Sequence, residues 1–527
     1  MSSADVAAPP FNRRLAFLLA MAMFVLVVDT SLMNVSISAV VADIDTTASA
    51  VQGAIALEAL VSAAFILIGG KMGDLIGRRR AYVLGLLGYA VGAIAMTLTQ
   101  HIWSIILFWA VIGGIGASLL LPAMQSLIHG NFEGAQQKQV YALVGASAAI
   151  AAAVGPLLGG FITTFLSWRV GFLLEAVIIA VVLAGIKLVK DVEYTGSREV
   201  DWGGAALSVV GMGGIVTGIL VWQEGGQYVG LLIGAGALAL VGFAWWLRRQ
   251  KRRAKATLID PDLFRSKVFQ SGVTGQLLQQ VALGGSMIVI PLYLQMVLEY
   301  NALWAGISIA PLSLSMFAVA LWAGRHAKGR PANIVLLGFT LLVVGLGAIV
   351  PIVPRADSGW WLAIPLIVAG GGLGLLVSQL NNYTLSPISN ERVSEAAGVN
   401  SAAGSFGLSF GLAFAGAIML ATLAFTFTAQ AQASTVLPPE DQERVAVALE
   451  EDAQLMSTTQ LEELISGEPE EIQEEVIAIN ERSRPIALQV ALLIPILAGV
   501  AGILNALRMR RLPDPAPSAA GESVLGG

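Results

Sequence analysis

Three acids stand inside stretches that are otherwise apolar: Asp29 in VLVVDTSLMNV, Glu58 in AIALEALVSAAF and Glu175 in GFLLEAVIIAV. An unpaired carboxylate taken out of water costs on the order of several kcal/mol, so such a group either finds a partner or holds a proton. That makes it a switch. The expected chemistry is reversible proton binding, exchanged against a cation that supplies the counter-charge to the ionised form. Duller readings exist for two of the three. Glu58 is near enough to a helix end to snorkel outward, and Glu175 has Arg169 within two turns as a structural partner.

The elements that must hold these acids follow from composition. The chain has 527 residues, is 56% hydrophobic and only 12% charged, and has a mean hydropathy of +0.76. A soluble protein is about 25% charged, so these values define an integral membrane protein. A crossing takes about 20 mostly apolar residues. Fourteen such runs follow one another, beginning near 15–37, 53–70 and 81–99 and ending near 396–428 and 485–507. They read as helices, because the alternating pattern of a membrane barrel is absent. The first run is too long for a signal-peptide core and carries a carboxylate, so it is expected to remain as the first helix. The three acids then lie in the middle or outer parts of helices one, two and six, where they can share one cavity.

Positive residues set the orientation. Arg13 and Arg14, Lys71 with Arg78 to Arg80, Lys187 and Lys190, Arg248 to Lys255, Arg325 to Arg330, and Arg508 to Arg511 all fall on one side of an even-numbered bundle. Both termini are therefore expected in the cytoplasm. From Glu440 to Arg484 the chain carries 14 acids and 3 arginines, a net of −11 against −5 for the whole protein. This segment reads as an acidic extracellular helical hairpin, within a loop spanning 430–484, before the last helix.

The chain also repeats itself. GGKMGDLIGRRR at 69–80 has a counterpart in AGRHAKGRP at 323–331, GGIGASLLLP at 113–122 in GGGLGLLVS at 370–378, and GPLLGG at 155–160 in GSFGLSFG at 404–411. The pairs imply two six-helix halves, residues 1–190 and 266–527, separated by an insertion at 191–265 of two helices and a basic linker. Such a duplication places a binding site near the midplane between halves that rock against each other.

GKMGDLIGRRR resembles the loop signature of the major facilitator superfamily, VVDTSLMNVSI the first-helix motif of its drug:proton antiporters, and GPLLGG their fifth-helix antiporter motif. VDWGGA at 200–205 and PLYLQMVLEYNALWAGISIAP at 291–311 resemble the fourteen-helix branch in particular. The resemblance implies an all-α membrane fold of two six-helix halves plus two inserted helices. It makes Asp29 the principal proton site and makes Gly70, Gly73, Asp74, Gly77, Arg78 and Arg79 a conformational latch that docks on the opposite half. Gly155, Pro156, Gly159 and Gly160 become the helix that seals the extracellular side. One departure stands out: where these antiporters carry an arginine and a glutamine in the fourth helix, this chain has Ala110 and Gly113.

On the residues themselves, glycines at these spacings let helices approach closely, and Pro156 removes a helical hydrogen bond. Asp74 and Arg78 can pair at the cytoplasmic edge. Asn34 in the first helix, Gln276, Gln279 and Gln280 in the ninth, and Asn381 and Asn382 in the twelfth are candidates to line the substrate cavity, with helix-packing hydrogen bonds as the alternative. Trp103, Trp109, Trp168, Trp360 and Trp361 read as interfacial anchors. Zero cysteines exclude disulfides and thiolate metal sites, and histidines at 101, 129 and 326 are too scattered for a metal cluster.

The expectation is a non-enzymatic, proton-coupled exporter of lipophilic cationic drugs or antiseptics in a bacterial plasma membrane. It would need no cofactor and no metal, would have protons, membrane lipids and a small lipophilic substrate as partners, would bind no nucleic acid, and would act as a monomer. Two alternatives stand beside it: an exporter of an endogenous metabolite, amino acid or lipid, and a receptor or scaffold that uses the acidic hairpin.

Overall fold

The computed structural model describes residues 11–132, 134–191, 199–223, 226–326, 329–388, 392–437, 461–462, 465–467 and 469–513. Among them, fourteen helices are long and apolar enough to cross a membrane. In chain order they are α1 Arg13–Val35, α2 Ala48–Gly73, α3 Arg78–Leu98, α4 Ile102–Ile128, α5 Gln139–Phe165, α6 Trp168–Leu188, α7 Trp202–Gln223, α8 Val229–Arg252, α9 Lys267–Val297, α10 Ala302–Gly324, α11 Pro331–Ile349, α12 Gly359–Leu385, α13 Glu395–Ala433 and α14 Glu470–Met509. The spans match the apolar runs of the sequence, with one large difference. α14 begins at Glu470, within the stretch read as an acidic loop. Glu470 and Glu471 occupy its first turn, where acids favour a helix N-terminus, and Val476 and Ile479 are buried. There α14 runs beside α13, joined by hydrogen bonds from Gln430 to Ser483 (2.8 Å) and from Ser434 to Glu475 (2.9 Å). Most of the expected hairpin lies outside the described residues.

The packing repeats. α1 packs on α5 and α6, α4 on α2 and α3, and α6 on α3 and α5; in parallel, α9 packs on α13 and α14, α12 on α10 and α11, and α14 on α11 and α13. The two groups of six meet along α2–α13 and α5–α10, which are equivalent pairs under the same correspondence. Backbone-close contacts carry the α5–α10 seam. A Cβ on Gly160 would lie 2.4 Å from the Ala302 carbonyl, and one on Gly306 would lie 2.2 Å from that of Pro156. Small residues do this in lipid because helix association there depends on close packing rather than on expelling water.

α7 and α8 stand aside as a pair. Gly214 and Gly236 bring their backbones together, while α7 meets α2 through Gly53 and Leu220, and α13 through the Gln223 amide donating to the Ala413 carbonyl (2.5 Å). α8 is only 6% buried across its most apolar window, so its outer surface is left to lipid. The VDWGGA stretch is explained by Asp201, which is 6% exposed and accepts from the Gly204 N–H (2.9 Å), the Trp246 indole (2.8 Å) and the Leu258 N–H (3.3 Å). One carboxylate thereby ties the start of α7 to α8 and to the linker that follows.

Candidate functional site

Asp29, Glu58 and Glu175 come together inside the first six helices. Asp29 is fully enclosed, Glu175 is 3% exposed and Glu58 is 9% exposed. The Asp29 carboxyl accepts a hydrogen bond from the Tyr89 hydroxyl on α3, and the Trp109 indole N–H on α4 lies 3.0 Å from both of its oxygens. The Glu175 carboxyl is within hydrogen-bonding reach of Asp29, and Glu58 is close enough to interact with it electrostatically. Five helices thus contribute to one acidic pocket. Arg169, the partner anticipated for Glu175, is engaged elsewhere: it pairs with Asp43 and donates to the Thr99 carbonyl (2.6 Å).

Local structure accounts for the convergence. Ile105–Gly113 of α4 is π-helical, a wider turn that rotates the helix face relative to an α-helix. It carries Trp109, which is 2% exposed. A Cβ on Gly92 would sit 3.1 Å from the Phe108 carbonyl, and one on Gly114 would sit 3.0 Å from the Glu58 carbonyl, so glycines allow α3 and α2 to approach this segment. The Phe172 ring meets Trp109 edge-on at 6.3 Å and Trp168 at 6.0 Å.

Tyr89 and Trp109 are functional-site residues that the sequence reading did not find. Trp109 was expected at the membrane interface; instead its N–H is used inside the bundle, whereas Trp168, the first residue of α6, donates to the exposed Asp43 (2.9 Å). Trp103, Trp360 and Trp361 are exposed, as anchors would be. The spacing of Trp109 one residue before Ala110, in the place where an arginine was expected, was the available signal.

The amides do not join the acids. Asn34 lies further along α1; its amide donates to the Thr30 carbonyl (2.8 Å), and its backbone carbonyl accepts from the Gln295 amide of α9 (3.1 Å). Gln295 also accepts from the Ser38 N–H and hydroxyl (3.0 and 2.9 Å), making a buried clasp between the two groups of helices. Gln276 and Gln280 lie against Gly404 and Gly407 of α13, and Gln279 is buried with an oxygen that has no hydrogen-bond partner among the described residues. Asn381 is exposed and accepts from Asn400 (3.2 Å), while Asn382 is half-buried. The antiporter-type stretch is a joint: Gly155 and Gly159 face Ser31 and Leu32 of α1, and Pro156 and Gly160 face α10.

In the loop signature, Gly73 lies beside Ala81, Gly70 beside Pro122, and Gly77 has φ +99°, a conformation glycine adopts without strain. The side chain of Asp74 lies outside the described residues. Asp191, beyond α6, accepts from the Arg79 N–H (3.0 Å) at the start of α3, a role the sequence did not indicate.

A bundle of fourteen membrane helices with duplicated packing and an enclosed acid cluster is the architecture of a small-molecule transporter rather than an enzyme. Residues 19–208 and 202–412 match the family model of the Major Facilitator Superfamily, and the chain belongs to that superfamily. It is 27% identical over 435 residues to the probable actinorhodin transporter of Streptomyces coelicolor, covering 80% of this chain and 75% of that one. Drug efflux pump JefA of Mycobacterium tuberculosis is 26% identical over 425 residues, covering 79% and 82% of the two chains. The fold is similar to the inward-facing, unoccupied crystal structure of a bacterial homologue of the human lysosomal transporter Spinster, with a TM-score of 0.62 at 11% identity over 97% of this chain and all of that one.

Proposed function

We propose that this transporter exports lipophilic, cationic compounds across a bacterial plasma membrane in exchange for protons, by alternating access. The carrying observation is the acid cluster. Three carboxyls are enclosed together with hydrogen-bond donors, no cation is in the described contacts, and such a cluster changes its charge only by exchanging protons. The names of the relatives support efflux of drugs and antibiotics. The positive residues support a cytoplasmic position for both termini. Residues 1–190 and 266–527 are the two moving halves, with 191–265 as the insertion, and the energy source is the proton gradient without a cofactor.

The geometry refines the expected exchange. Asp29 is bonded to α3 and α4 within its own half rather than turned toward the other. Protons therefore load inside the first half, cargo binds between the halves, and movement of α1 links the two, since α1 carries both Asp29 and the Asn34–Gln295 contact. In inside-out vesicles, Asp29→Asn is expected to reduce uptake of a fluorescent lipophilic cation driven by a pH gradient to the level of empty vesicles. Uptake at the wild-type level would overturn the assignment.

A second reading, export of an endogenous metabolite, amino acid or lipid, draws on relatives named for the export of one particular compound, such as the cephamycin export protein of Amycolatopsis lactamdurans, 28% identical over 408 residues. A panel of cations that gives no efflux, beside a metabolite or lipid that co-purifies with the protein, would select it.

A further inference from the structure

We infer that Asp29 and Glu175 act as one proton-sharing carboxyl pair in which Glu175 carries the proton and Asp29 is the ionised acceptor, with Trp109 and Tyr89 as the positioning residues that fix this choice. The inference deepens the proposed proton coupling and relies on that reading for its role in transport.

The argument is a count of donors and acceptors. An indole N–H only donates, and it faces both Asp29 oxygens at 3.0 Å. The Tyr89 hydroxyl donates to one of the same oxygens. A proton on Asp29 would have to share this space with two other hydrogens, whereas an ionised Asp29 has lone pairs for both donors and for a third. Glu175 has the opposite surroundings. No donor among the described residues reaches its buried oxygen, and the one polar neighbour its carboxyl is recorded with is Asp29, itself an acceptor. Two carboxyls can hydrogen-bond each other only through a proton, and an unmade acceptor costs more on an ionised oxygen than on the carbonyl oxygen of a neutral acid. The proton therefore belongs on Glu175, which donates to Asp29.

The remaining neighbours do not alter the count. α2 brings Glu58, α5 lines α1 with Gly155 and Gly159, and α9 meets α1 near Asn34 and Ser38, beyond the acids. Arg169, on the same helix as Glu175, is held by Asp43 and the Thr99 carbonyl. Where the resemblance leads to an arginine the chain has Ala110, and the neighbouring Trp109 supplies Asp29 with a neutral donor. The ionised form is thus held in place without a fixed positive charge that would prevent its neutralisation.

The test is infrared spectroscopy of the purified full-length protein at neutral pH, in preparations labelled with ¹³C in the side-chain carboxyl of either aspartate or glutamate. The carbonyl stretch of a buried protonated carboxyl should shift with the glutamate label and not with the aspartate label, and should persist in a Glu58→Gln background. A shift with the aspartate label, or loss of the band in Glu58→Gln, would overturn the assignment; the aspartate arm needs no substitution and so does not depend on the variant folding. Trp109→Phe, which keeps a ring but removes the N–H, should bring part of the band under the aspartate label. An unchanged assignment would remove Trp109 from the positioning role. Transport by Asp29→Asn is read separately. If that variant transports normally while the labels place the proton on Glu175, the function falls and the pair stands; if transport is lost and the aspartate label shifts, the pair falls and the function stands.

Discussion

At the scale of single residues, Asp29 is as much a structural acceptor as a proton site. Replacing it with leucine strands the Trp109 N–H and the Tyr89 hydroxyl in an enclosed space, and each stranded donor costs about 1–3 kcal/mol. Asp29→Leu is therefore expected to lower the thermal midpoint of the detergent-solubilised protein clearly more than Asp29→Asn, whose amide oxygen still accepts. Equal midpoints would mean that the donors find other acceptors. The acids themselves were legible in the sequence, because hydropathy makes a carboxylate in an apolar run conspicuous. Tyr89 and Trp109 were not, because tyrosine and tryptophan are ordinary residues of membrane helices, and only neighbouring helices decide whether their polar atoms face lipid or a buried acid.

At the scale of elements, the linker after α8 shows how a charged segment is docked. Asp260 accepts from Lys251 (2.8 Å), pairs with Arg392 at the start of α13 (3.0 Å), and accepts from the Asp262 N–H (2.9 Å). Partial burial alone would raise its pKa, but these partners outweigh it and hold the carboxyl below the ordinary aspartate value of 3.8. The sign is that of a depressed acid. Its contribution to docking is fully present above the ordinary value and is lost as the pH falls through the lower, bound-state value. Asp260→Asn should accordingly speed hydrogen exchange in 253–266 at neutral pH, an effect that unchanged exchange would refute. Beneath the charges, Leu258, Ile259 and Leu263 pack with Phe269, Ala396 and Val399, and with Leu67 and Ile68 of α2. A basic linker was visible in the sequence; its contact with both groups of helices was not, since Leu67 and Ile68 on one side and Arg392, Ala396 and Val399 on the other lie more than a hundred residues away.

At the scale of the whole molecule, the two groups of helices are closely joined at the end opposite the basic connections. There Gln295 clasps Ser38 and Asn34, the Thr164 hydroxyl accepts from the Leu303 N–H (3.0 Å), and Gly160 and Gly306 bring α5 and α10 together. If transport requires these contacts to part, tethering them should stop it. The chain contains no cysteine, so a Ser38→Cys/Gln295→Cys pair joined by a short thiol-reactive linker is an unambiguous reporter. Cross-linking should abolish efflux, and a cleavable linker should restore it on reduction; efflux that persists through the cross-link would argue against separation at this end. Gly160→Leu should weaken the same seam by overpacking, at a cost of about 1–3 kcal/mol, and make a single cysteine at position 303 more accessible to a water-soluble reagent.

By itself the sequence determined that this chain crosses a membrane fourteen times, that three acids lie within those crossings, and that its glycine motifs repeat. The first two follow from transfer energies, which adjacent residues fix without reference to the rest of the chain, and the third from comparing one half of the chain with the other. Tertiary structure decided what the acids touch. A π-helical turn in α4 and glycines on α3 and α4 bring Trp109 and Tyr89 to Asp29, the packing of α6 on α1 puts Glu175 beside it, and the amides of α9 and α12 lie elsewhere. The direction of a side chain in a bundle depends on the rotation and proximity of several helices at once, and no single stretch of sequence contains that information.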